Sequence, residues 1–147
     1  MSDFETEELF AKGVMAVDRG NWLVALSCFE KIVQEDGRTA SLSYFAVCIA
    51  RERGLFNTAE ALCREAIEKD AENPLHYLNL GRVFLYQGRK MEAIGTFREG
   101  LHFSADKRLI DELNRLGTRK KPVVPFLGRD NPINKYLGIL MTKLKMR

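Results

Sequence analysis

The sequence predicts an all-α fold, an α-solenoid built from repeated helix-turn-helix units. Apolar residues recur at spacings of three and four up to a glycine and then resume after it, which is the pattern of two helices joined by a tight turn. The same residue types also recur every 34 positions, and a fixed period of this length is typical of stacked repeats. Both observations favour an array in which each unit buries its apolar face against its neighbours.

Five columns of matching residues define the period. They are Gly13, Val47 and Gly81; Gly20, Gly54 and Gly88; Ala25, Ala59 and Ala93; Phe29, Cys63 and Phe97; and Ile32, Ala66 and Gly100. The small residues have a physical cause, because two antiparallel helices approach closely only where a side chain is nearly absent. We predict that Gly13 and Gly81 on the first helix face Ala25 and Ala93 on the second, with large aromatic rings filling the space beyond.

The period, the two-helix unit and the column identities resemble the tetratricopeptide repeat (TPR) family. The third unit carries the most of the family's signature, in the family's order: Tyr77, Leu80, Gly81, Phe84, Gly88, Ala93 and Phe97. The resemblance implies a right-handed superhelix of helix-turn-helix repeats. The units span about 6–39, 40–73 and 74–107.

Both ends of the repeat array carry helix-capping signals. Ser2 with Glu5 forms a capping box at the start of the first helix. Asp106 is a suitable N-cap for a short helix over 107–116, which Gly117 ends. The apolar side of this helix is expected to comprise Leu109, Ile110, Leu113 and Leu116. We expect this helix to cap the last unit, since a solenoid must shield its final apolar face, and the predicted repeat domain is 1–117.

Beyond the cap, the sequence predicts two further segments. Residues 118–131 contain Pro122 and Pro125, which favour an extended linker. Residues 132–147 form a basic amphipathic helix, whose apolar stripe is Ile133, Tyr136, Leu137, Leu140, Met141 and Leu144. Three docking sites for this tail remain open: the chain's own solenoid, a partner protein, or an anionic membrane surface.

Charge and composition indicate a cytoplasmic protein without a membrane span. Residues 108–147 hold ten Lys or Arg and three Asp or Glu, a net charge of +7, whereas residues 1–107 carry −4. The apolar stretches are shorter than the roughly 18 residues that a span requires, and the acidic N-terminus does not resemble a secretory signal. Three cysteines, Cys28, Cys48 and Cys63, lack CxxC spacing, so we expect them to be reduced and structural.

The sequence shows no catalytic or cofactor-binding pattern. His76 and His102 lack the spacing of metal ligands, and neither a phosphate-binding glycine loop nor a GxSxG motif occurs. Four acidic residues, Glu60, Glu65, Glu68 and Asp70, are interpreted as solvated helix faces that form i,i+4 pairs. We therefore expect no enzymatic activity and no cofactor.

The family resemblance places the binding site in a concave groove lined by the first helix of each unit. The residues of this chain that match groove positions are Phe10, Val14, Val17, Tyr44, Cys48, Arg51, Leu78, Asn79, Arg82 and Leu85. This set is apolar and aromatic with two arginines. It predicts that the groove binds a peptide or helix segment of another protein whose side chains are apolar.

The same resemblance excludes one known specificity and suggests another. The carboxylate clamp of the family, which grips acidic chaperone C-termini, relies on Lys, Asn and Arg at five positions that here hold Phe10, Val14, Phe45, Leu75 and Asn79, of which one is polar and none is basic. In size and in its predicted apolar groove, the chain looks like bacterial secretion chaperones that keep hydrophobic segments soluble. We predict an adaptor or chaperone-like protein, with a membrane-surface accessory protein anchored by residues 132–147 as the alternative. Nucleic-acid binding is disfavoured, because the basic tail lacks interleaved aromatic residues.

Overall fold

The structure, a computed structural model, describes residues 1–35 and 37–117. Residues Met1–Leu116 form one compact unit. Seven helices lie in the described residues: α1 (Asp3–Asp18), α2 (Trp22–Glu35), α3 (Thr39–Arg53), α4 (Phe56–Lys69), α5 (Pro74–Tyr86), α6 (Lys90–Leu101) and α7 (Lys107–Arg115). The predicted all-α, TPR-type α-solenoid is confirmed. The predicted linker 118–131 and helix 132–147, with their docking alternatives, lie outside the described residues.

The predicted helix caps are present at both ends of the array. The Ser2 hydroxyl accepts a hydrogen bond from the Glu5 backbone N–H at 3.2 Å, and the Glu5 carboxylate accepts one from the Ser2 N–H at 2.8 Å. At α7, the Asp106 carboxylate accepts from the Arg108 N–H at 2.8 Å. These bonds occupy backbone donors that have no partner inside the helix.

A left-handed glycine ends the first helix of the second unit. Gly54 follows α3 with φ of 65°, and its N–H donates to the carbonyl oxygens of Ala50 and Ile49. A side chain at this φ is strained, which explains the glycine column on which the period rests. Asn73 caps the start of α5, where its side-chain oxygen accepts a hydrogen bond from the Leu75 N–H at 3.0 Å.

Glycines allow the two helices of a unit to approach. A Cβ atom on Gly13 would lie 2.7 Å from the Phe29 ring, and one on Gly81 would lie 2.1 Å from the Phe97 ring. Aromatic rings therefore fill the space at these glycines, as expected, and the placement of Gly13 and Gly81 opposite Ala25 and Ala93 stays a prediction. Phe29 and Phe97 follow Ala25 and Ala93 by one helical turn, and their long rings extend back to the glycines.

The alanine and cysteine columns are buried. Ala25, Ala59 and Ala93 are each 0% exposed, as predicted for helix contacts. All three cysteines, Cys28, Cys48 and Cys63, are free and buried. Burial raises the pKa of the Cys48 thiol to about 12, and burial also raises the pKa of Cys63. These thiols are therefore protonated and packed as small apolar groups.

The first helix of each unit lies in one layer. α3 packs on α5, and α5 packs on α7, while the Phe10 and Tyr44 rings join α1 to α3 at 5.9 Å. The last of these helices, α7, closes the array with Leu109 and Leu113, both buried. Ile110 was expected on the same apolar side, but 39% of it is exposed. α7 thus buries a narrower stripe than its sequence predicts.

Candidate functional site

A groove of about 330 Å³ runs across the layer formed by α1, α3, α5 and α7. Every one of these helices contributes to it, and α2 adds its first residue. Its lining is Val17, Asp18, Trp22, Arg51, Arg82, Leu85, Tyr86, Glu112 and Arg115. Because four successive helices meet here, the groove crosses all three repeat units and the capping helix.

The structure distributes the ten predicted groove residues over three environments. Four line the groove: Val17, Arg51, Arg82 and Leu85. Phe10 and Val14 are half-buried and pack against the core. The remaining four are buried, namely Tyr44, Cys48, Leu78 and Asn79. Tyr44 and Leu78 are only 5% and 1% exposed, so truncating either one would remove core packing and could not report on binding alone.

Tyr44 belongs to an aromatic cluster between the first two units. Its ring stacks on Phe29 with a centroid distance of 4.8 Å, and Phe10 meets both rings edge-on. Burial raises the pKa of the Tyr44 phenol, and the nearby Arg108 and Arg82 guanidinium groups partly offset this rise. The cluster therefore supports the layer of first helices from within.

Arg51 lies over two aromatic rings in the groove. The centre of its guanidinium is 4.9 Å from the centroid of the Trp22 ring and 5.4 Å from that of the Tyr86 ring. Trp22 and Tyr86 meet edge-to-face at 6.3 Å. The three residues come from α2, α3 and α5, and each ring face attracts the cation electrostatically. We call them the aromatic–arginine site.

Sequence reasoning missed Trp22, Tyr86 and the two α7 residues of the groove, Glu112 and Arg115. Trp22 was interpreted as a core aromatic, and α7 solely as a cap. A signal was available for Tyr86, since it directly follows Leu85 at the end of a groove helix. No comparable local signal exists for Trp22, because it starts a helix of the outer layer.

A buried chain of hydrogen bonds holds Arg82. The Arg82 Nη1 donates to the Asn79 side-chain oxygen at 3.2 Å, and the Asn79 Nδ2 donates to the Ser43 hydroxyl at 3.1 Å. That hydroxyl lies 2.9 Å from His76 Nδ1. Ser43, His76 and Asn79 are 0% exposed. Asn79 was predicted to line the groove. It is instead buried, and its hydrogen bond orients Arg82, which does line the groove.

Asp70 lies beside this chain at the outer side. Its Oδ2 is 3.4 Å from His76 Nε2, which has no hydrogen-bond partner in the described residues, and its side chain is 49% exposed, as expected for a solvated residue. The other acidic residues behave as expected in two cases, with i,i+4 pairs from Arg64 to Glu60 at 3.0 Å and from Lys69 to Glu65 at 2.9 Å. Although Ser43, His76 and Asp70 are neighbours, the Ser43 hydroxyl is buried and does not face the groove.

Groove charges are not matched within the described chain. Glu112 pairs with Arg115. Neither Arg51 nor Arg82 forms an ion pair with any carboxylate of residues 1–35 or 37–117. Asp18 also lines the groove and forms no ion pair within those ranges. The groove therefore carries one net positive charge, with two guanidinium groups exposed to a ligand.

Within 1–35 and 37–117, no group of three or more His, Cys, Asp or Glu side chains is placed to hold a metal ion. No helix in those ranges is long and apolar enough to cross a membrane.

Comparison with known proteins places the fold. No family model matches the chain, and no curated protein matches it. The Arabidopsis OM64 TPR domain is 25% identical with a TM-score of 0.58, over 76% of this chain and 93% of that domain. The first TPR of Spaghetti (RPAP3), bound to the HSP90 peptide SRMEEVD, is 19% identical with a TM-score of 0.60, over 79% and 95%. The chain has the tetratricopeptide repeat fold.

A third TPR structure shows the same extent of similarity. PcrH, in complex with the chaperone binding region of PopB, is 18% identical with a TM-score of 0.60, over 79% of this chain and 97% of PcrH. These three TPR structures are each matched over at least 93% of their own length.

Proposed function

We propose that this TPR chain is an adaptor or chaperone-like module that holds an apolar peptide or helix segment of another protein in its groove. The observation that carries the proposal is the groove itself, which combines four apolar or aromatic residues with five charged ones. The first four are Val17, Leu85, Trp22 and Tyr86, and the charged residues are Asp18, Arg51, Arg82, Glu112 and Arg115. Concave sites in which apolar walls supply contact area and polar groups fix orientation are typical of binding sites. Its volume of about 330 Å³ suits several side chains of a segment.

The similar structures support binding of a protein segment, since two of the three are complexes with a peptide or a binding region. The acidic SRMEEVD peptide is not the segment we propose here. The positions that match the family's carboxylate clamp hold Phe10, Val14, Phe45, Leu75 and Asn79. None of these is basic, and Leu75 and Asn79 are buried.

Selection of peptides from a random display library on the immobilised protein tests the proposal. Selected peptides should be rich in Leu, Ile and Phe. Replacing the groove residue Leu85 by Ser should weaken their binding by about ten-fold, the usual scale for a buried apolar anchor. The matched control is Leu23→Ser, because Leu23 is 69% exposed on α2 and lies outside the groove lining. Equal weakening by both variants, or selection of uniformly polar peptides, would contradict the proposal.

The membrane-surface alternative depends on residues 132–147, which lie outside the described residues. Sedimentation of the full chain with vesicles that contain anionic lipid separates the two functions. Salt-sensitive binding that requires residues 129–147 would favour the membrane-surface function. Indifference to the vesicles favours the adaptor.

A further inference from the structure

We infer that the aromatic–arginine site, together with Arg82, binds a carboxylate, so that the partner segment is apolar but carries an Asp, a Glu or its own C-terminus at this point. This inference rests on the proposed function and names the chemistry of the ligand. The site differs from the family's clamp in position, since none of its residues occupies a clamp position. Three observations carry it.

The first observation is the geometry of Arg51. Its guanidinium lies within 5.4 Å of two ring centroids. The two rings are nearly perpendicular, at 87°, so the planar guanidinium can lie flat on only one of them. Within residues 1–35 and 37–117 no N–H donor of Arg51 forms a hydrogen bond or an ion pair, which leaves those donors available to a ligand. A carboxylate matches them, because it accepts two parallel N–H bonds from one guanidinium.

The second observation is the support of Arg82. The Asn79 oxygen accepts from Arg82 Nη1 at 3.2 Å, and Asn79 is anchored to the buried Ser43. One of the five N–H donors of Arg82 has a hydrogen-bond partner in the described residues, and that partner is the neutral amide of Asn79. Its side chain is therefore oriented without being neutralised.

The third observation is the charge balance. Arg115 is paired with Glu112, which leaves Arg51 and Arg82 against Asp18. The walls around these groups include Val17 and Leu85. A carboxylate placed between apolar walls interacts more strongly with the guanidinium groups than it would in water. A neutral segment would leave both cations facing apolar side chains, and a Lys would be repelled by them.

Two matched peptides test the inference on the full chain. The probes are 12-residue peptides selected as described under "Proposed function", synthesised with either Glu or Gln at each polar position in turn. The chain has one tryptophan, Trp22, and it belongs to the site. Its fluorescence therefore reports occupancy directly. The best Glu peptide should bind about ten-fold more tightly than its Gln partner, as expected for one charge-assisted hydrogen-bonded pair.

Substitutions of Arg51 then test whether the preference for Glu over Gln depends on the aromatic–arginine site. Arg51→Met keeps an unbranched side chain over the rings and removes the charge, so the Glu preference should fall below about three-fold while the Gln peptide keeps its affinity. Arg51→Lys retains a charge without the planar fork and should give an intermediate preference. The control is Arg64→Met, since Arg64 pairs with Glu60 away from the groove. Circular dichroism confirms that each variant is folded.

The outcomes separate the two proposals. Equal affinity of the Glu and Gln peptides, or a Glu preference that survives in both Arg51 variants, overturns the inference and leaves the apolar groove function intact. Failure of all selected peptides to alter Trp22 fluorescence overturns both. A preference for Lys over Gln also contradicts the inference.

Photocrosslinking identifies the occupant in the same samples. A photoreactive residue at Leu85 should crosslink to the Glu peptide, and the product is mapped by mass spectrometry. Crosslinks to residues 118–147 that persist with saturating peptide would show that the chain's own tail occupies the site. Crosslinks between two copies, with a dimer in sedimentation, would show a second copy instead. Either result overturns the assignment to a carboxylate-bearing partner.

Discussion

Arginine is used differently on the two sides of the repeat array. On the outer side, Arg89 contacts Glu60 at 3.3 Å and also Glu92, and it lies 4.5 Å from the centroid of the Phe84 ring. In the groove, Arg51 lies over two rings and Arg82 bonds to a neutral amide, without an ion pair in the described ranges. Arg89 on the outer side links α4 to α6, whereas Arg51 and Arg82 in the groove keep N–H donors that bond to no carboxylate of the described residues.

The same scaffold therefore uses its outer side for stability and its groove for recognition. Ion pairs on the outer side satisfy charge locally and tie neighbouring helices together. In the groove, rings and a neutral hydrogen-bond chain hold the cations without satisfying their charge. The predictions below test the scaffold first and then the hydrogen-bond chain that distinguishes the groove.

The largest effect is expected at the contact between the two helix layers. Ala93 is 0% exposed on α6, so Ala93→Glu would bury a charge without a partner and should cost more than about 3 kcal/mol. Such a loss is comparable to the whole stability of a small domain. Thermal melting followed by circular dichroism measures it. The control, Met91→Glu, changes a residue on α6 that is 76% exposed and should melt near wild type.

The same substitution, Gly to Ala, should change the free energy of unfolding in opposite directions at Gly81 and Gly95. Gly81→Ala places a Cβ 2.1 Å from the Phe97 ring and should destabilise the protein by about 1–3 kcal/mol through overpacking. Gly95→Ala meets no atom within 4 Å, lies inside α6, and should stabilise by about 0.5–1 kcal/mol through helix propensity. Urea denaturation gives both values. If the two variants shift the midpoint in the same direction, the close helix approach is incorrectly assigned.

The hydrogen-bond chain behind Arg82 should matter for both stability and binding. Asn79→Ala leaves Ser43 and Arg82 without their shared partner and should cost about 1–2 kcal/mol, because buried polar groups are left unsatisfied. It should also weaken the Glu peptide more than the Gln peptide, since Arg82 loses its orientation. Asn57→Ala on the exposed surface of α4 serves as the control. An Asn79→Ala protein that retains full Glu preference would show that Arg82 needs no positioning.

The smallest effect is a pH dependence from the outer end of the same chain. Burial lowers the pKa of His76, and the Asp70 carboxylate partly opposes this shift. The unfolded state therefore binds a proton at a higher pH than the folded state does. The stability conferred by neutral His76 is fully present above its unfolded pKa of about 6.5 and is lost as the pH falls below that value.

Urea midpoints at pH 7.5, 6.0 and 5.0 measure this dependence. Carboxylates whose pKa is lowered on folding, such as that of Asp106, lose their contribution to stability at more acidic pH. Their protonation therefore does not contribute to the change in midpoint between pH 7.5 and 5.0. His76→Gln should flatten the profile between pH 7.5 and 5.0. An unchanged slope in His76→Gln would mean that another group titrates.

Several features of the site could be read from the sequence, and several could not. Val17, Arg51, Arg82 and Leu85 were predicted because they match groove positions of the family that the sequence resembles. Tyr44 was predicted in the same way, at the position equivalent to Phe10 and Leu78, yet its ring stacks on Phe29 from a different helix. Periodicity gives the side of the helix on which a residue lies. It does not give the length and direction of the side chains that meet it from another unit.

The sequence by itself determined the repeat period, the helix caps at Ser2 and Asp106, and the burial of the alanine column, because each depends on spacing or on groups within a few residues. Tertiary structure alone decided the aromatic–arginine site. Trp22, Arg51 and Tyr86 are separated by about 30 residues each and meet only when three helices are stacked. The same holds for Asn79, whose burial and bond to Ser43 depend on how α5 packs against α3. Non-local packing fixes which polar groups are covered and which stay open to a partner.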